Sequence, residues 1–197
     1  MNEAFPATSM PDRDWWSALW PDPQDTLRAL HITPEMTVLD LCCGDGYFTA
    51  PLAKLVAGNV YALDLDAAML EMAKAECLRQ GASVKEWICA DARDVATYLP
   101  EKVDYVLMAN TFHGVPDQPA LVRVIRAVLK SGGLLGIVNW VNRPREETIV
   151  LGQPRGPKTG MRMAPEDVTA IVEADGFRLL AAIELPPYHY GVVFAAS

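Results

Sequence analysis

The stretch VLDLCCGDGYF, residues 38–48, decides the reading of this chain. A short apolar run carries an acidic residue near its end, a turn containing Gly44 and Gly46 follows, and a helical pattern begins. That arrangement brings backbone close to a ligand at the carboxyl end of a first strand. Alone, a Gly-x-Gly turn is an ordinary strand-to-helix corner. The sequence on either side makes it more than that. VYALD (60–64), VKEWIC (84–89), VDYVLM (103–108) and LLGIVNW (134–140) are short, apolar and bounded by turn residues, and they read as further strands. FTAPLAKLVA (48–57), DAAMLEMAKAECLRQG (66–81) and QPALVRVIRAVLKSGG (118–133) carry apolar residues at three- and four-residue spacing and read as helices, the last two stopping at glycine. Strand and helix in alternation require right-handed crossovers and a mostly parallel sheet covered on both faces.

The texture changes after residue 140. Residues 142–161, rich in Pro, Gly and charge, read mainly as a loop, and 164–176 reads as a helix opened by Pro165 and closed at Gly176. The segments 177–187 and 190–196 follow without a helix between them, which predicts an antiparallel hairpin at one edge. The expected fold class is α/β: a Rossmann-like, doubly wound, seven-stranded, mostly parallel sheet with an antiparallel C-terminal hairpin strand.

A chain of 197 residues holds one complete core, so residues 34–197 are expected to form one domain and 1–33 a helical extension or lid. Trp15, Trp16 and Trp20 lie in that extension, with Trp16 and Trp20 spaced to share a helix face. A net charge of −8 argues against a general nucleic-acid partner. No apolar run approaches the roughly 20 residues of a membrane span, and the N-terminus lacks the pattern of a secretory signal. A cytoplasmic protein is expected, with room left for a homodimer. Cys42 and Cys43 are adjacent, and with Cys77 and Cys89 they suit neither a disulfide framework nor a zinc site, so reduced thiols and no metal are expected.

Three further features fall on the rim where the strands end. Asp64 closes the second strand, where a carboxylate accepts hydrogen bonds from both ribose hydroxyls. Asp91 follows the third strand, placed for an exocyclic adenine amine, and MANTFHGVPD (108–117) leaves the fourth with polar and aromatic groups. Any one of these is more often a cap or turn residue. Three at the ends of successive strands favour an adenosine-containing ligand.

With these residues in view, the chain from about Val38 onward resembles the class I S-adenosylmethionine-dependent methyltransferases. VLDLCCGDG is similar to the family's acidic-x-Gly-x-Gly-x-Gly signature, with Asp40, Gly44 and Gly46 matching and Cys42 replacing the first glycine. Within the family the chain looks most like the small-molecule branch that includes the ubiquinone and menaquinone methyltransferases. The resemblance implies S-adenosyl-L-methionine as cofactor, S-adenosyl-L-homocysteine as product, and methyl transfer to a small-molecule acceptor by in-line displacement. It places Asp40 near the methionine amino group above the Gly44–Gly46 turn, Asp64 on the ribose, Leu65 and Ala92 beside the adenine, Asp91 on its N6, and Asn110 between methionine and acceptor. Cys42 puts a side chain where the family leaves backbone bare. One alternative is an NAD(P)-dependent oxidoreductase, whose fingerprint carries a third glycine where this chain has Thr49 and whose pyrophosphate would meet Asp45. A non-catalytic binder of the same cofactor is the other.

Displacement at a sulfonium needs mainly orientation and exclusion of water, so a base is optional. The candidates on the acceptor side are His113, Tyr188 and His189 as catalytic groups, with Trp140, Arg143 and Tyr190 beside them. The segment from Arg143 to Arg162 carries Arg143, Arg145, Arg155, Lys158 and Arg162 against Glu146 and Glu147. It reads as a mobile basic lid for an anionic acceptor, or as a solvated loop. Replacing Asp64 by Ala is expected to weaken cofactor affinity by about 1 to 3 kcal/mol, the value of two lost hydrogen bonds to a charged group; titration calorimetry of wild type and variant provides the comparison.

Overall fold

A computed structural model describes residues 12–197. The sequence expectation that touches residues 1–11 lies outside them. Seven strands form one sheet in the order β3-β2-β1-β4-β5-β9-β8. They are β1 (Val38–Leu41), β2 (Val60–Asp64), β3 (Glu86–Cys89), β4 (Val103–Ala109), β5 (Leu129–Trp140), β8 (Phe177–Leu185) and β9 (His189–Ala196). From β3 to β5 all pairings are parallel, and β9 runs antiparallel to both β5 and β8. The expected α/β class, with its antiparallel edge, is the observed one.

Chain order reverses between β1 and β4, because β2 and β3 extend the sheet one way and β4 and β5 the other. Such a reversal opens a crevice at the strand ends, since successive crossovers leave to opposite faces there. The helices covering the faces are α1 (Arg13–Leu19), α2 (Pro23–Ala29), α3 (Thr49–Leu55), α4 (Ala67–Gln80), α5 (Val95–Tyr98), α6 (Gln118–Val128) and α7 (Pro165–Ala174). Alternate residues of β4 serve opposite cores. Val106 and Met108 join Leu41, Leu63, Ile125 and Val172 on one face, while Tyr105 and Leu107 join Leu30, Leu52, Val60 and Val138 on the other. Burial on both sides explains why the strands read as unbroken apolar runs.

Local chemistry sets most boundaries where the sequence placed them. Asp66 caps α4 by accepting from Ala68 N, and Gly81 ends it in the left-handed conformation. Gly176, at φ +86°, follows α7. Three boundaries differ. The helix expected over 118–133 stops at Val128, and β5 begins at Leu129, which pairs with Val103. Leu134 then pairs with Tyr105, so the residues between bulge out around Gly132, at φ +70°, while Lys130 donates to Asp104 at 2.8 Å. Third-strand pairing starts at Glu86 rather than at residue 84. His189, expected in a loop, opens β9 because it pairs with Trp140.

The segment 142–161 is also more ordered than a loop. It holds two single 3₁₀ turns and a short antiparallel hairpin, β6 (Ile149–Val150) with β7 (Gln153–Pro154). The N-terminal pair α1 and α2 packs Trp15, Trp16 and Trp20 into the second core. Among the described residues no helix is long and apolar enough to cross a membrane.

Gly46 shows how tightly the first turn is held. Its φ is +81°, and an added Cβ would sit 2.7 Å from the Ala73 Cα in α4. Gly46→Ala combines left-handed strain with a backbone clash and is expected to cost at least about 2 kcal/mol of stability, measurable by chemical denaturation.

Candidate functional site

The turn after β1 is built from backbone conformations that side chains disfavour. Cys42, Gly44 and Gly46 all have positive φ, at +63°, +55° and +81°. Cys42 thus occupies the left-handed conformation at the position where the resembled motif has glycine, at an expected cost of about 1 kcal/mol. The turn is tied to the neighbouring strand. Cys43 N donates to Leu63 O at 2.9 Å, and Gly44 N donates to Asp64 Oδ2 at 2.8 Å. Asp64 Oδ1 accepts from Asp66 N at 3.0 Å, which leaves each carboxylate oxygen with lone-pair capacity toward the rim.

Asp40 is buried under this turn. Thr49 Oγ1 donates to its Oδ2 at 2.6 Å, and among the described residues it forms no ion pair. Burial pushes its pKa up to about 7, the Thr49 bond opposes that shift, and the negative charge of Asp64 adds to it. Asp91 is differently placed. The Arg93 guanidinium bonds both of its oxygens, at 2.9 and 2.5 Å, and Arg93 N donates to Oδ1, so Arg93 holds the carboxylate below its ordinary range. Nothing in residue spacing foretold that fork. Leu65, beside Asp64, is 44% exposed, whereas Ala92 is buried.

At the end of β4, Asn110 adopts φ +60° and its N–H bonds Val138 O at 2.8 Å. Its side-chain amide is buried with neither atom hydrogen-bonded among the described residues. The structure therefore brings Asp40, Cys42, Gly44, Gly46, Asp64, Leu65, Asp91, Ala92 and Asn110 onto one rim, at the ends of β1, β2, β3 and β4.

The three catalytic candidates separate. His113 is half-buried, with Nδ1 3.4 Å from Asn139 Oδ1. Asn139 Nδ2 faces the Tyr190 hydroxyl at 3.4 Å, and that hydroxyl donates to Met163 O at 3.0 Å. A backbone carbonyl only accepts, so the relay runs in one direction: Tyr190 donates to Met163, Asn139 donates to Tyr190, and His113 Nδ1–H donates to Asn139. The Nε2 lone pair of His113 is then the free one, and no described residue meets it. Burial lowers the His113 pKa from its ordinary value, so the ring stays neutral at neutral pH.

His189 lies in an aromatic enclosure. Its ring centroid is 4.2 Å from that of Trp140, 4.5 Å from Trp20 and 6.1 Å from Trp16, and neither nitrogen has a described partner. Burial holds its pKa well below the ordinary value. Tyr188 stacks on Trp140 with planes 12° apart and donates its hydroxyl to Ile149 O at 3.1 Å, so the phenol anchors the hairpin.

Charge at the rim also departs from expectation. Asp45 was expected to repel a pyrophosphate, but it is 1% exposed, and Arg13 of α1 pairs with its carboxylate at 2.9 Å and its carbonyl at 3.1 Å. Arg13 also reaches Glu76 of α4 at 2.9 Å, so α1 is clasped to the glycine turn. The case against a dinucleotide then rests on Thr49, whose buried hydroxyl is committed to Asp40 where the fingerprint has glycine. The basic segment is not a free lid either. Arg162 is 7% exposed and donates to Thr148 Oγ1 at 2.9 Å, Pro157 O at 3.2 Å and Arg155 O at 3.1 Å, and Arg145 donates to Gly156 O at 3.0 Å. Arg143 and Lys158 alone among its five cations are exposed. Cys42 and Cys43 have thiols pushed up by burial and by Asp40 and Asp64, which opposes thiolate chemistry.

Comparison with known proteins bears on this geometry. Residues 38–133 match the model of a methyltransferase domain. The chain is 33% identical over 117 residues to a demethylmenaquinone methyltransferase of Lactiplantibacillus plantarum, covering 57% of this chain and 48% of that one. It is 30% identical over 140 residues to a ubiquinone biosynthesis O-methyltransferase of Xanthomonas campestris, covering 66% and 56%. The chain thus spans about half the length of these curated relatives. In three dimensions it is similar to a crystal structure of a SAM-dependent methyltransferase from Aquifex aeolicus, with TM-score 0.74 and 24% identity over 89% of this chain and 90% of that one.

The raised pKa of Asp40 has a consequence for stability. Because the folded pKa of about 7 exceeds the unfolded 3.8, the folded state binds the extra proton between these values. Stability is thus expected to fall as pH rises through that window, by up to about 1.4 kcal/mol per unit. Asp40→Asn removes this slope and should leave the ligand-free protein more stable than wild type at pH 8, as read from denaturation curves at pH 5 and 8.

Proposed function

We propose that this chain is a class I S-adenosylmethionine-dependent methyltransferase, similar over residues 38–133 to a methyltransferase domain, and that it transfers the methyl group of S-adenosyl-L-methionine to a small-molecule acceptor of the quinol or phenol type. The observation that carries this reading is the set of cofactor-type groups converging on one rim, headed by the unpartnered Asn110 amide and the buried, unpaired Asp40.

The residues suit the cofactor. Asp40 provides the counter-charge for an ammonium group, because a buried carboxylate without a cation is stabilised by acquiring one. Asp64 keeps acceptor capacity for ribose hydroxyls while its other lone pairs hold Gly44 and Asp66 in place. Leu65 presents exposed apolar surface beside Asp64, suited to a purine face. Asn110 contributes a donor and an acceptor where methionine and acceptor would meet. When bound, S-adenosyl-L-methionine supplies a methyl group on a sulfonium, whose departure leaves a neutral thioether.

The chain's own part is positioning and proton handling. His113 Nε2, its lone pair left free by the Asn139–Tyr190 relay, accepts the proton of the acceptor's hydroxyl. Asn139 and Tyr190 are positioning residues that fix the ring's tautomer. Trp16, Trp20 and Trp140 wall the acceptor side and exclude water. His189 and Tyr188 act within that wall rather than on the proton. The names of the relatives supply the quinol or phenol class; the aromatic wall supports it. Neither the oxidoreductase nor the non-catalytic binder is favoured by a specific feature.

Purified protein incubated with tritiated S-adenosyl-L-methionine and a small-molecule extract should transfer label into the extract's organic fraction. Tight binding of a dinucleotide, with no retention of S-adenosyl-L-homocysteine at millimolar concentration, would overturn the reading. Affinity for S-adenosyl-L-homocysteine is expected to fall about tenfold per pH unit below 7, because a protonated Asp40 must lose its proton to pair, and Asp40→Asn should flatten that dependence. His113→Gln is expected to lower kcat about 100-fold with the cofactor Kd unchanged. Tyr190→Phe should lower kcat less and move the acid limb of its pH profile.

A further inference from the structure

The described residues contain nine buried side-chain nitrogen or oxygen atoms without a hydrogen-bond partner, and all nine lie at the carboxyl rim. Native interiors leave few such atoms, and their confinement to one place marks a surface built to meet a ligand. Two of them belong to the Asn110 amide. The other seven are Trp16 Nε1, Trp20 Nε1, His113 Nε2, Arg155 Nε, Arg162 Nη1 and both nitrogens of His189.

Six of these, all but His113 Nε2, belong to one contiguous group. Trp16 and Trp20 meet at 6.0 Å, and both border His189. Arg162 Cζ stands 5.2 Å over the Trp140 ring, Arg155 Cζ stands 5.2 Å over Trp15, and Trp15 faces Trp140 at 6.5 Å. The group borders the cofactor rim through Phe48, 5.3 Å from Trp20, and through Tyr47, whose hydroxyl donates to Trp20 O at 2.7 Å. Four of the seven atoms are obligatory donors: two indole N–H and two guanidinium N–H. Two of these belong to cations, and neither Arg155 nor Arg162 makes an ion pair among the described residues. Glu146 is the carboxylate felt most by Arg162, but it is exposed and beyond ion-pair distance. A guanidinium that is 93% shielded from water with one terminal nitrogen unmet is costly without an anion.

We infer that the acceptor is a small planar aromatic anion, an aryl carboxylate or phenolate, with its charged oxygen, distinct from the hydroxyl that faces His113, on the Arg162 and Arg155 N–H groups and the indole N–H groups and its ring against the tryptophans. The inference rests on the methyl-transfer reading only in naming this ligand the acceptor. The excess of donors over acceptors selects an oxygen anion and disfavours a cation or a purely hydrocarbon body. Indole faces and guanidinium planes accept flat rings by stacking.

Titration calorimetry tests this with 2-naphthoate against 2-naphthamide, and with 4-nitrophenolate against nitrobenzene, on protein saturated with S-adenosyl-L-homocysteine. Each anion is expected to bind at least tenfold more tightly than its neutral partner, and the arm with the larger ratio identifies carboxylate or phenolate. Arg162→Gln should erase the preference. Because Arg162 also holds the Thr148 and Arg155 oxygens, Arg155→Gln and Trp20→Phe serve as milder variants, each expected to reduce the ratio at least threefold. Equal binding of anion and neutral partner, or no binding of any of the four, overturns the inference. Should S-adenosyl-L-homocysteine itself fail to bind, the methyl-transfer reading falls, and the same titrations on the ligand-free protein still decide the anion preference.

Discussion

The hydrogen bond from Gly44 N to the Asp64 carboxylate joins the first turn to the end of the second strand, and the rim is organised around it. To make that bond the chain leaves β1 through three left-handed residues in five positions. Two are glycines, which adopt that conformation without strain, and the third is Cys42, which does so at a cost. Packing of the turn under α4, where Gly46 touches Ala73, prevents relaxation to an easier path. Asp40 is thereby enclosed with one hydroxyl donor, and Asp64 is fixed with lone pairs directed outward.

A second organising feature is the clasp between Arg13 and the pair Asp45 and Glu76. A short helix of seven residues has little stability of its own. Its position is set by this charged bond and by three buried indoles. The clasp also neutralises the turn's acidic residue, so the rim presents the charge of Asp64 rather than that of Asp45. Glu76 feels this directly, since Arg79, Gln80 and Arg13 together hold its pKa down to about 2.

Around His113 and His189 the antiparallel register of β5 and β9 is decisive. It sets Asn139 opposite Tyr190 and Trp140 opposite His189. One pair forms the relay to His113, and the other forms the floor of the aromatic enclosure. A shift of one residue would exchange the faces and dismantle both. Arg162 is then positioned by carbonyls of its own loop, which orient its guanidinium group without neutralising it.

The sequence by itself determined the alternation of strands and helices, the antiparallel edge and the acidic ends of the first strands. Burial on both sheet faces, helix caps and left-handed glycines are recorded in a few neighbouring residues, and so could be read locally. It erred where distant pairing overrode local pattern: at Leu129, drawn into β5 by Val103, and at His189, drawn into β9 by Trp140. Only the tertiary structure decided that Arg13 neutralises Asp45, that Arg93 grips Asp91, that Arg155 and Arg162 turn inward, and that Tyr190 sets the tautomer of His113 through Asn139. Each of those except the Arg93 fork joins residues far apart in the chain, whose meeting depends on strand register and crossover direction and leaves no trace in local spacing.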